Sequence, residues 1–490
     1  MSRRLAEGTM LAGAAVVDIT PPLPVDVLGY VRRATAPRRV HSPLQARAVV
    51  LRSGPTTLVI ITGDVTGLTT PMADRIRGAV ARAVGCAPEQ VLLNSSHSHA
   101  APWPGATIKM GGEFDGWTDV ELGWWDQVPA LYASAAVRAA DGLIEARVAG
   151  GTGRAPGIAV NRRERTPDGR TILGWNPDGF LDDEVPTVRI DARPEHRRSR
   201  PIATLVGFGC HPVTVGPEVP LMGSDFVGPL RERLDGPLGG GTTLFLQGAA
   251  GNVLPLEAFG EDAADDEPMG HRLALEAAHA VADAEPWRST IDHIAYGSVT
   301  PISLYRRRVA HDQPSQPLAS ARRIVRLPLL AAPTADSLAT ELAERQATLL
   351  AMRTEGAGRE ITNPISYHIA WLGHTLAGAR AGTLDEALDG EIWAARVGDC
   401  AIVGAPGEIF SEIGAAVRAA SPAATTIFAG YCQGVLGYVP TPEEYPFGGY
   451  EPAVSHRGYG HPAPFDPSVA GIIRDTAIEL VNGLFEDTAG

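Results

Sequence analysis

The sequence has 490 residues and carries 42 Lys and Arg against 56 Asp and Glu, a formal net charge of −14 at pH 7. Such an acidic chain lacks the basic surface that nucleic-acid binding requires, so we expect no nucleic-acid partner. With 44% hydrophobic and 20% charged residues, the composition is that of an ordinary globular protein with one large domain or two intimate ones.

The sequence contains four widely spaced cysteines with no CxxC pair: Cys86, Cys210, Cys400 and Cys432. This spacing argues against a thiolate zinc site and against a disulfide framework, and it favours reduced thiols in a cytoplasmic protein. The N-terminus carries Arg3 and Arg4 but no convincing signal peptide, and no apolar run has the length of a transmembrane segment. We therefore predict a cytoplasmic location.

Strands alternate with helices through the first half of the chain. Several of the strands are continuously apolar, which is typical of a sheet that is covered on both faces. We therefore predict an α/β fold of mixed, helix-covered β-sheets with the active site at the C-terminal ends of strands. Predicted strands occupy 11–19, 46–52, 57–62, 90–93, 202–208 and 242–246, and predicted helices occupy 71–84, 126–143 and 268–284.

The pattern changes further along the chain. Residues 153–191 are rich in Arg, Asp, Pro and Gly, and they predict an irregular stretch that runs over the surface or lines a cleft. The helix predicted at 336–352 offers a face to a partner subunit, so a homo-oligomer is compatible with the pattern. The remaining predictions are a β-like run near 291–299, strands at 391–397, 401–403 and 425–429, and helices at 365–381, 409–420 and 467–484.

Two histidines, His97 and His99, lie in a loop of small and polar residues directly after the apolar strand at 90–93. In an extended backbone, side chains two residues apart point the same way. Two such imidazoles either hold a metal together, or one binds the metal while the other moves protons. The alternative is that these histidines have no chemical role in the loop.

Polar groups follow three further strands. His211 comes after 202–208, Glu408 after 401–403, and a tyrosine-bearing loop after 425–429. Ligands bind at this edge of open α/β sheets, and two histidines with one carboxylate are a usual ligand set for a catalytic zinc. The structural alternative is that His211 caps a turn and that Glu408 begins a helix near its dipole.

Six segments of the chain resemble, in order, motifs of the neutral/alkaline non-lysosomal ceramidases, and the resemblance spans about residues 10 to 485. It implies a single ceramidase-like catalytic domain over residues 1–490, without the C-terminal immunoglobulin-like domain of the family. It also implies a Zn²⁺ ion held by His97, His211, Glu408 and Tyr438, with Arg162 at the mouth of the active site. The segments are Asp18–Pro22, His97–His99, Cys210–Pro212, Gly223–Asp225, Pro406–Glu408 and Tyr438–Glu451.

The chain departs from this family where the family carries its catalytic serine. Leu254 stands at that position, and Asn252 replaces an aspartate of the same motif. Leucine offers neither a nucleophile nor a hydrogen bond, so a serine mechanism at this position is ruled out. The missing serine, the missing additional domain and the missing secretion signal leave the identity of the substrate open.

We therefore expect a zinc-dependent hydrolase that cleaves the C–N amide bond of a small or amphiphilic acyl amide with metal-activated water. In this reading His99 carries the proton, and Asp225 is an alternative base or a partner that orients a ligand histidine. Arg162 is expected to stabilise a developing oxyanion or to bind an anionic group of the substrate. The alternatives are a zinc-dependent esterase or lactonase, and a zinc-holding binding protein without catalysis.

Overall fold

The computed structural model describes residues 9–25, 27, 29–30, 35–104, 118–194, 199–297 and 301–486, so Arg3 and Arg4 lie outside the described residues. The strands are β1 (Leu11–Asp18), β2 (Arg39–Val40), β3 (Gln45–Ser53), β4 (Thr56–Gly63), β5 (Val91–Ser95), β6 (Ile144–Arg154), β7 (Ala159–Arg165), β8 (Thr171–Asn176), β9 (Glu184–Ala192), β10 (Pro201–Phe208), β11 (Leu221–Met222), β12 (Thr242–Gln247), β13 (Val253–Pro255), β14 (Ser289–Tyr296), β15 (Ser303–Val309), β16 (Leu318–Pro328), β17 (Ala387–Val397), β18 (Cys400–Gly404), β19 (Glu408–Ile409), β20 (Thr425–Ala429) and β21 (Tyr438–Val439). The helices are α1 (Thr70–Val84), α2 (Asp119–Asp141), α3 (Val227–Asp235), α4 (Glu267–Ala280), α5 (Ala335–Thr354), α6 (Arg359–Ala381), α7 (Ser411–Ala420), α8 (Tyr450–Ala453) and α9 (Ser468–Phe485).

Two β-sheets pack face to face in the middle of the protein. The larger sheet has eight strands in the order β12-β10-β9-β6-β1-β3-β4-β5, and the smaller has four in the order β16-β17-β18-β20. Leu51, Leu58 and Leu205 of the larger sheet share one core cluster with Trp393 and Ile402 of the smaller sheet. Burial of this apolar surface is the main force that holds the two sheets together.

Helices cover the outer face of each sheet. α1 and α2 cover one half of the larger sheet, α3 and α4 cover its other half, and α7 and α9 cover the smaller sheet. Side chains along β3 alternate, so that Val49 and Leu51 face the second sheet while Ala48 and Val50 face the helices. These four layers confirm the predicted α/β fold of mixed, helix-covered sheets. In the described ranges, no helix is both long enough and apolar enough to cross a bilayer.

The prediction of an irregular stretch over residues 153–191 is wrong. That stretch contains the end of β6, all of β7 and β8, and β9 except its last residue. β7 lacks the apolar alternation of an ordinary strand because Asn161, Arg162 and Arg163 occupy its buried part. Both guanidinium groups are paired with carboxylates inside the protein, and this pairing offsets the cost of burying their charges.

The strands that precede the candidate residues end on the same side of the two sheets. β4 runs parallel to β5, β10 to β12, and β18 to β20. The buried side chain of Asn94, on β5, joins the ends of the other two pairs. Its Oδ1 accepts a hydrogen bond from the Gln247 amide at 3.0 Å, and its Nδ2 donates to the Gly430 carbonyl at 2.7 Å. One amide side chain therefore links both sheets three residues before His97.

Replacing Asn94 by alanine is expected to lower the free energy of unfolding by about 3 kcal/mol, because the buried amide of Gln247 and carbonyl of Gly430 both lose a partner. Urea unfolding followed by circular dichroism measures this loss. The matched control is Gln346→Ala on the exposed face of α5, which should change the free energy by no more than about 0.5 kcal/mol. Equal effects of the two substitutions would contradict the proposed link.

Helices α5 and α6 form a hairpin around their own small core of Leu338, Trp371, Leu372 and Leu376. His456 packs against this hairpin, with its ring 5.4 Å from that of Trp371. Its Nδ1 is buried and has no hydrogen-bond partner among the described residues. Burial, together with the charges of Arg457 and of His461, lowers the pKa of His456 to about 3. This histidine is therefore neutral in the folded protein.

Replacing His456 by phenylalanine is expected to reduce the loss of stability in weak acid. An unfolded histidine has a pKa of about 6.5, so between pH 6.5 and 3 the unfolded state binds a proton that the folded state does not, and stability falls as the pH falls. Between pH 6.5 and pH 5 the wild type should lose about 2 kcal/mol more than His456→Phe. Urea unfolding of both proteins at the two pH values measures the difference, and parallel losses would contradict the assignment.

Candidate metal centre

Three imidazoles converge beyond the strand ends. The ligating nitrogens of His97, His99 and His211 all lie within 4.8 Å of one another, and this group can hold a metal ion. The Nε2 atoms of His97 and His99 are 3.2 Å apart. The loop is not extended at His97, which has a φ of 65°, in the left-handed region that non-glycine residues rarely adopt. The two rings nevertheless meet, and local backbone strain of this kind recurs at functional sites.

Backbone carbonyl groups fix the protonation pattern of two of these rings. His97 Nδ1 donates to the Thr66 carbonyl at 2.5 Å, and His211 Nδ1 lies 2.8 Å from the carbonyl of Ala250 and 3.1 Å from that of Val253. A carbonyl oxygen can only accept, so the hydrogen is on Nδ1, and in the neutral ring Nε2 carries a lone pair. Such contacts orient the histidine ligands of metal sites.

The carboxylate of Glu408 faces these two lone pairs. Its Oε2 lies 3.0 Å from His211 Nε2 and 3.4 Å from His97 Nε2, and the residue is 1% exposed. Lone pairs facing a carboxylate oxygen repel it unless a cation lies among them. Burial and then the charge of Arg162 lower the pKa of His211 to about 4, so that at neutral pH a proton on His211 Nε2 does not supply this cation. In a tetrahedral zinc site, such atoms lie about 2.1 Å from the ion and hence about 3.4 Å from one another. The distances between the donor atoms of Glu408, His97 and His211 fit that ion.

Tyr438 and Arg162 complete the cluster. Tyr438 Oη lies 3.2 Å from His211 Nε2, so the four residues proposed as ligands lie together: His97, His211, Glu408 and Tyr438. Arg162 Nη1 also lies 3.1 Å from His211 Nε2, and there the guanidinium donates to the ring's lone pair. Coordination of a metal through His211 therefore requires Arg162 to give up this hydrogen bond.

Arg162 is held by a chain of ion pairs that leads away from the centre. Its Nε donates to Glu451 at 2.8 Å, and the other oxygen of Glu451 accepts from Arg163 at 2.6 Å. Arg163 in turn contacts Glu444 at 2.5 Å. Although burial disfavours the charge, Tyr438 and Glu451 hold the pKa of Arg162 well above its ordinary value. The guanidinium is therefore a fixed positive charge beside the three imidazoles.

Asp225 does not join this cluster. Its carboxylate accepts hydrogen bonds from the Thr214 hydroxyl at 2.7 Å, the Phe226 amide at 2.8 Å and the Val215 amide at 3.2 Å. Within the described residues, none of its hydrogen bonds reaches a histidine ring. Tyr30 donates to the carbonyl of the same Val215 at 2.8 Å. Asp225 thus supports the loop that follows His211 and lies behind the site.

A cavity of about 100 Å³ opens next to the imidazoles, and most of its walls are aromatic. His99 lies on its wall and packs edge-to-face against Tyr30 at 5.0 Å between ring centres. Burial, with a further contribution from His97 and His211, holds the pKa of His99 well below its ordinary value. The lining residues are Gly29, Tyr30, Thr66, His97, His99, Trp103, Tyr367, Glu408, Tyr438, Tyr450, Gly458 and Tyr459.

Two tyrosines that our sequence analysis missed bind Glu408. Tyr431 donates to Oε2 at 3.1 Å, and Tyr459 donates to Oε1. Tyr431 follows the end of β20 by two residues, so the strand-end rule that singled out His97 and His211 also applies to it. No comparable signal marks Tyr459. Each carboxylate oxygen thus has a fixed donor, which leaves Glu408 little freedom to turn.

Leu254, at the position of the family's serine, lies on β13 opposite Val160. Its side chain is 6% exposed and is not among the residues that line the cavity. The neighbouring Asn252 is engaged in structural contacts: it donates to Glu412 at 2.9 Å and accepts from the Ser411 amide at 2.9 Å. Neither residue brings a nucleophile to the centre.

No protein-family model matches the sequence, and no curated protein sequence matches it either. Among solved structures, the neutral ceramidase from Pseudomonas aeruginosa matches with a TM-score of 0.67 and 18% sequence identity, over 98% of this chain and 75% of that one. A ceramidase solved in complex with C2 matches with a TM-score of 0.67 and 16% identity, over the same shares. A likeness at these identities concerns the fold, because one fold can host many activities. The chain has a ceramidase-like fold, and a group of histidines that can hold a metal ion lies beyond the ends of its strands.

Proposed function

We propose that this protein is a zinc-dependent hydrolase that cleaves the C–N bond of an acyl amide with water as the nucleophile. The observation that carries the proposal is the position of Glu408, whose buried Oε2 faces the Nε2 lone pairs of His97 and His211 at 3.4 and 3.0 Å. Such a set of buried donor atoms suits a bound metal ion, which would take the place of the hydrogen bond from Arg162 to His211. The ceramidase-like fold supports amide hydrolysis as the reaction class.

His97, His211, Glu408 and Tyr438 would hold the zinc. When bound, a zinc ion lowers the pKa of its water to about 7 and polarises a carbonyl oxygen, which suffices for amide hydrolysis without a serine. The backbone carbonyls that accept from His97 and His211 turn both Nε2 atoms toward the centre, and His211 would bind the metal once Arg162 gives up its hydrogen bond to Nε2. Tyr431 and Tyr459 keep the carboxylate of Glu408 in place.

His99 is the residue that we assign to proton transfer. It lines the cavity, and its Nε2 lies 3.2 Å from the Nε2 of His97, so it would lie beside a metal held by His97. In hydrolysis an O–C bond forms from water, the C–N bond breaks, and one proton moves from the water to the departing amine. A histidine can accept that proton and then deliver it to the amine.

Arg162 is the residue that we assign to stabilisation of the developing negative charge on the carbonyl oxygen. Its position is fixed by Glu451, which is itself held by Arg163. A charge that needs no rearrangement during the reaction is most effective in a water-poor site. Asp225 supports the His211 loop in this scheme and takes no part in proton transfer.

The proposal is tested with metal-replete protein and a panel of acyl amides, with release of the acid and the amine detected by mass spectrometry. In ¹⁸O-labelled water the released acid should carry one label, and removal of zinc with a chelator should stop the reaction. A panel in which esters are cleaved and amides are not would assign an esterase instead. If neither amides nor esters were cleaved by zinc-loaded protein, the hydrolase proposal would fail.

A further inference from the structure

The hairpin of β14 and β15, here called the arm, stands apart from the layers of the fold. Its two strands pair with each other in a two-stranded sheet, and within the described ranges no other helix or strand packs extensively on either of them. An isolated two-stranded hairpin is marginally stable in water at best, and it needs further strands or a packed face. Its open edges also present unpaired N–H and C=O groups. The arm therefore calls for a surface that covers it.

Large hydrophobic side chains are exposed along the arm. Tyr296 is 80% exposed, Ile291 67% and Tyr305 60%, and the other exposed members are Ile294, Ile302 and Leu304. His293 joins two of these side chains into one group, because its ring lies 4.4 Å from that of Tyr296 and 5.5 Å from that of Tyr305. Single hydrophobic side chains on a surface are ordinary, but a contiguous group of them marks an interaction site.

The arm is basic although the protein is acidic. Residues 289–309 contain three arginines against a single aspartate, whereas the whole chain has a formal net charge of −14. Arg306 has no ion-pair partner within the described chain, and Arg307 and Arg308 have one each. A basic arm is attracted to an acidic surface, and a second copy of this protein offers one.

The arm lies at the opposite edge of the larger sheet from the candidate metal centre. Trp287, two residues before β14, donates its indole N–H to the carbonyl of Asp191 at 3.2 Å, and Asp191 pairs with Pro201 at the start of β10. His211 follows the other end of β10, and a strand of eight residues spans about 25 Å. A membrane bound to the arm would therefore lie far from the centre, and the net negative charge of the protein opposes binding to anionic lipids. A second copy of the chain fits the arm better than a lipid surface does.

We propose that the arm is the interface of a homodimer, in which it packs on a second copy of this chain. The hydrophobic side chains of the arm are buried there, and its arginines lie against acidic groups of the second copy. The arm comprises about 20 residues, which is the size of one side of a standard protein–protein interface. The inference concerns assembly and does not depend on the proposed function.

Sedimentation velocity of the full-length protein over a range of concentrations tests this interface. The wild type should approach a mass of twice 51.5 kDa as its concentration rises. Ile291→Glu should raise the dissociation constant of the dimer by about 10-fold or more, because it places a charge in the interface. The cross-strand neighbour of this position is Arg307, which favours a glutamate there and so keeps the arm folded. The matched control is Leu350→Glu on α5, at a side chain that is also 67% exposed, and it should leave the dissociation constant unchanged.

Arg306→Ala is a second variant, which removes a charge and leaves the hydrophobic side chains in place. It should raise the dissociation constant of the dimer by about 2- to 5-fold, and this difference from the wild type should shrink at high salt. Hydrogen exchange of the wild type locates the contact independently. Peptides from β14 and β15 should exchange more slowly at concentrations that favour the dimer than at concentrations that favour the monomer.

Two results would overturn the inference. The first is a wild type that stays monomeric at every concentration, and binding of that monomer to phosphatidylserine vesicles would assign the arm to a lipid surface instead. The second is a dimer that Leu350→Glu dissociates and Ile291→Glu does not, because the interface would then lie on α5. Neither result bears on the hydrolase proposal, which is tested by the release of acid and amine.

Discussion

Replacing Glu408 by glutamine is expected to remove most of the bound zinc and to lower kcat/KM for amide hydrolysis on the order of 10³-fold. Glutamine keeps the size of the side chain but removes the charge that balances the cation, and a metal supplies several kcal/mol of transition-state stabilisation. Zinc content is measured by inductively coupled plasma mass spectrometry on the same sample whose kinetics are measured.

Glu443 provides the matched control for this substitution. It is an exposed glutamate of the loop that follows Tyr438, and Glu443→Gln should retain both zinc and activity. Circular dichroism of the Glu408 variant checks that the fold persists. If Glu408→Gln kept a full complement of zinc and wild-type rates, Glu408 would not be a ligand. The main observation that supports the proposed metal centre would then no longer hold.

Replacing His99 by alanine is expected to lower kcat by about 10²- to 10⁴-fold while zinc content stays near the wild-type value. The reason is that His99 lies beside a ligand, 3.2 Å from His97 Nε2, and carries the proton in the proposed scheme. Added imidazole should restore part of the rate, since it can enter the space left by the ring. His374→Ala, at an exposed position on α6, is the matched control.

The same experiment decides between two roles for His99. Its Nε2 is close enough to those of His97 and His211 for the three rings to bind one ion. If His99 is instead a third nitrogen ligand, His99→Ala should lower zinc content and kcat together. Added imidazole should then not restore kcat unless zinc content is restored as well. Loss of rate with zinc retained assigns proton transfer.

The layered fold follows from features that are local in the sequence. Continuous apolar runs such as Thr57 to Thr62 predict buried strands, and the spacing from Pro71 to Val84 predicts the helix that covers them. A helix start is also readable at Thr118, whose side chain caps the helix together with Glu121, although the prediction set it at Asp126. Prediction from sequence succeeds for helices and strands whose local hydrophobic pattern matches their burial in the fold.

β7 is a strand whose local hydrophobic pattern does not match its burial. Its buried part reads as a surface segment, because the partners that make its arginines tolerable inside the protein lie almost 290 residues away, at Glu451. Long-range ion pairs leave no local trace in hydrophobic periodicity. A strand built around a charged site is therefore predicted as a loop.

The candidate site was predictable in part for a geometric reason. Parallel strands end at one edge, so His97, His211 and Glu408 come together although each is more than 100 residues from the next in sequence. The strand-end rule does not extend to side chains such as Tyr459 or Trp103, whose positions depend on how loops fold back over that edge. It also gives no sign that Asp225 turns toward the His211 loop and away from the rings.

The most direct test of the account is the rate of amide hydrolysis measured while zinc is titrated into metal-stripped protein. We predict that the rate rises in proportion to bound zinc and levels off at a single zinc per chain, with no inhibition by serine-directed reagents. Hydrolysis that persists without zinc, or fully zinc-loaded protein that cleaves no amide, would contradict the account.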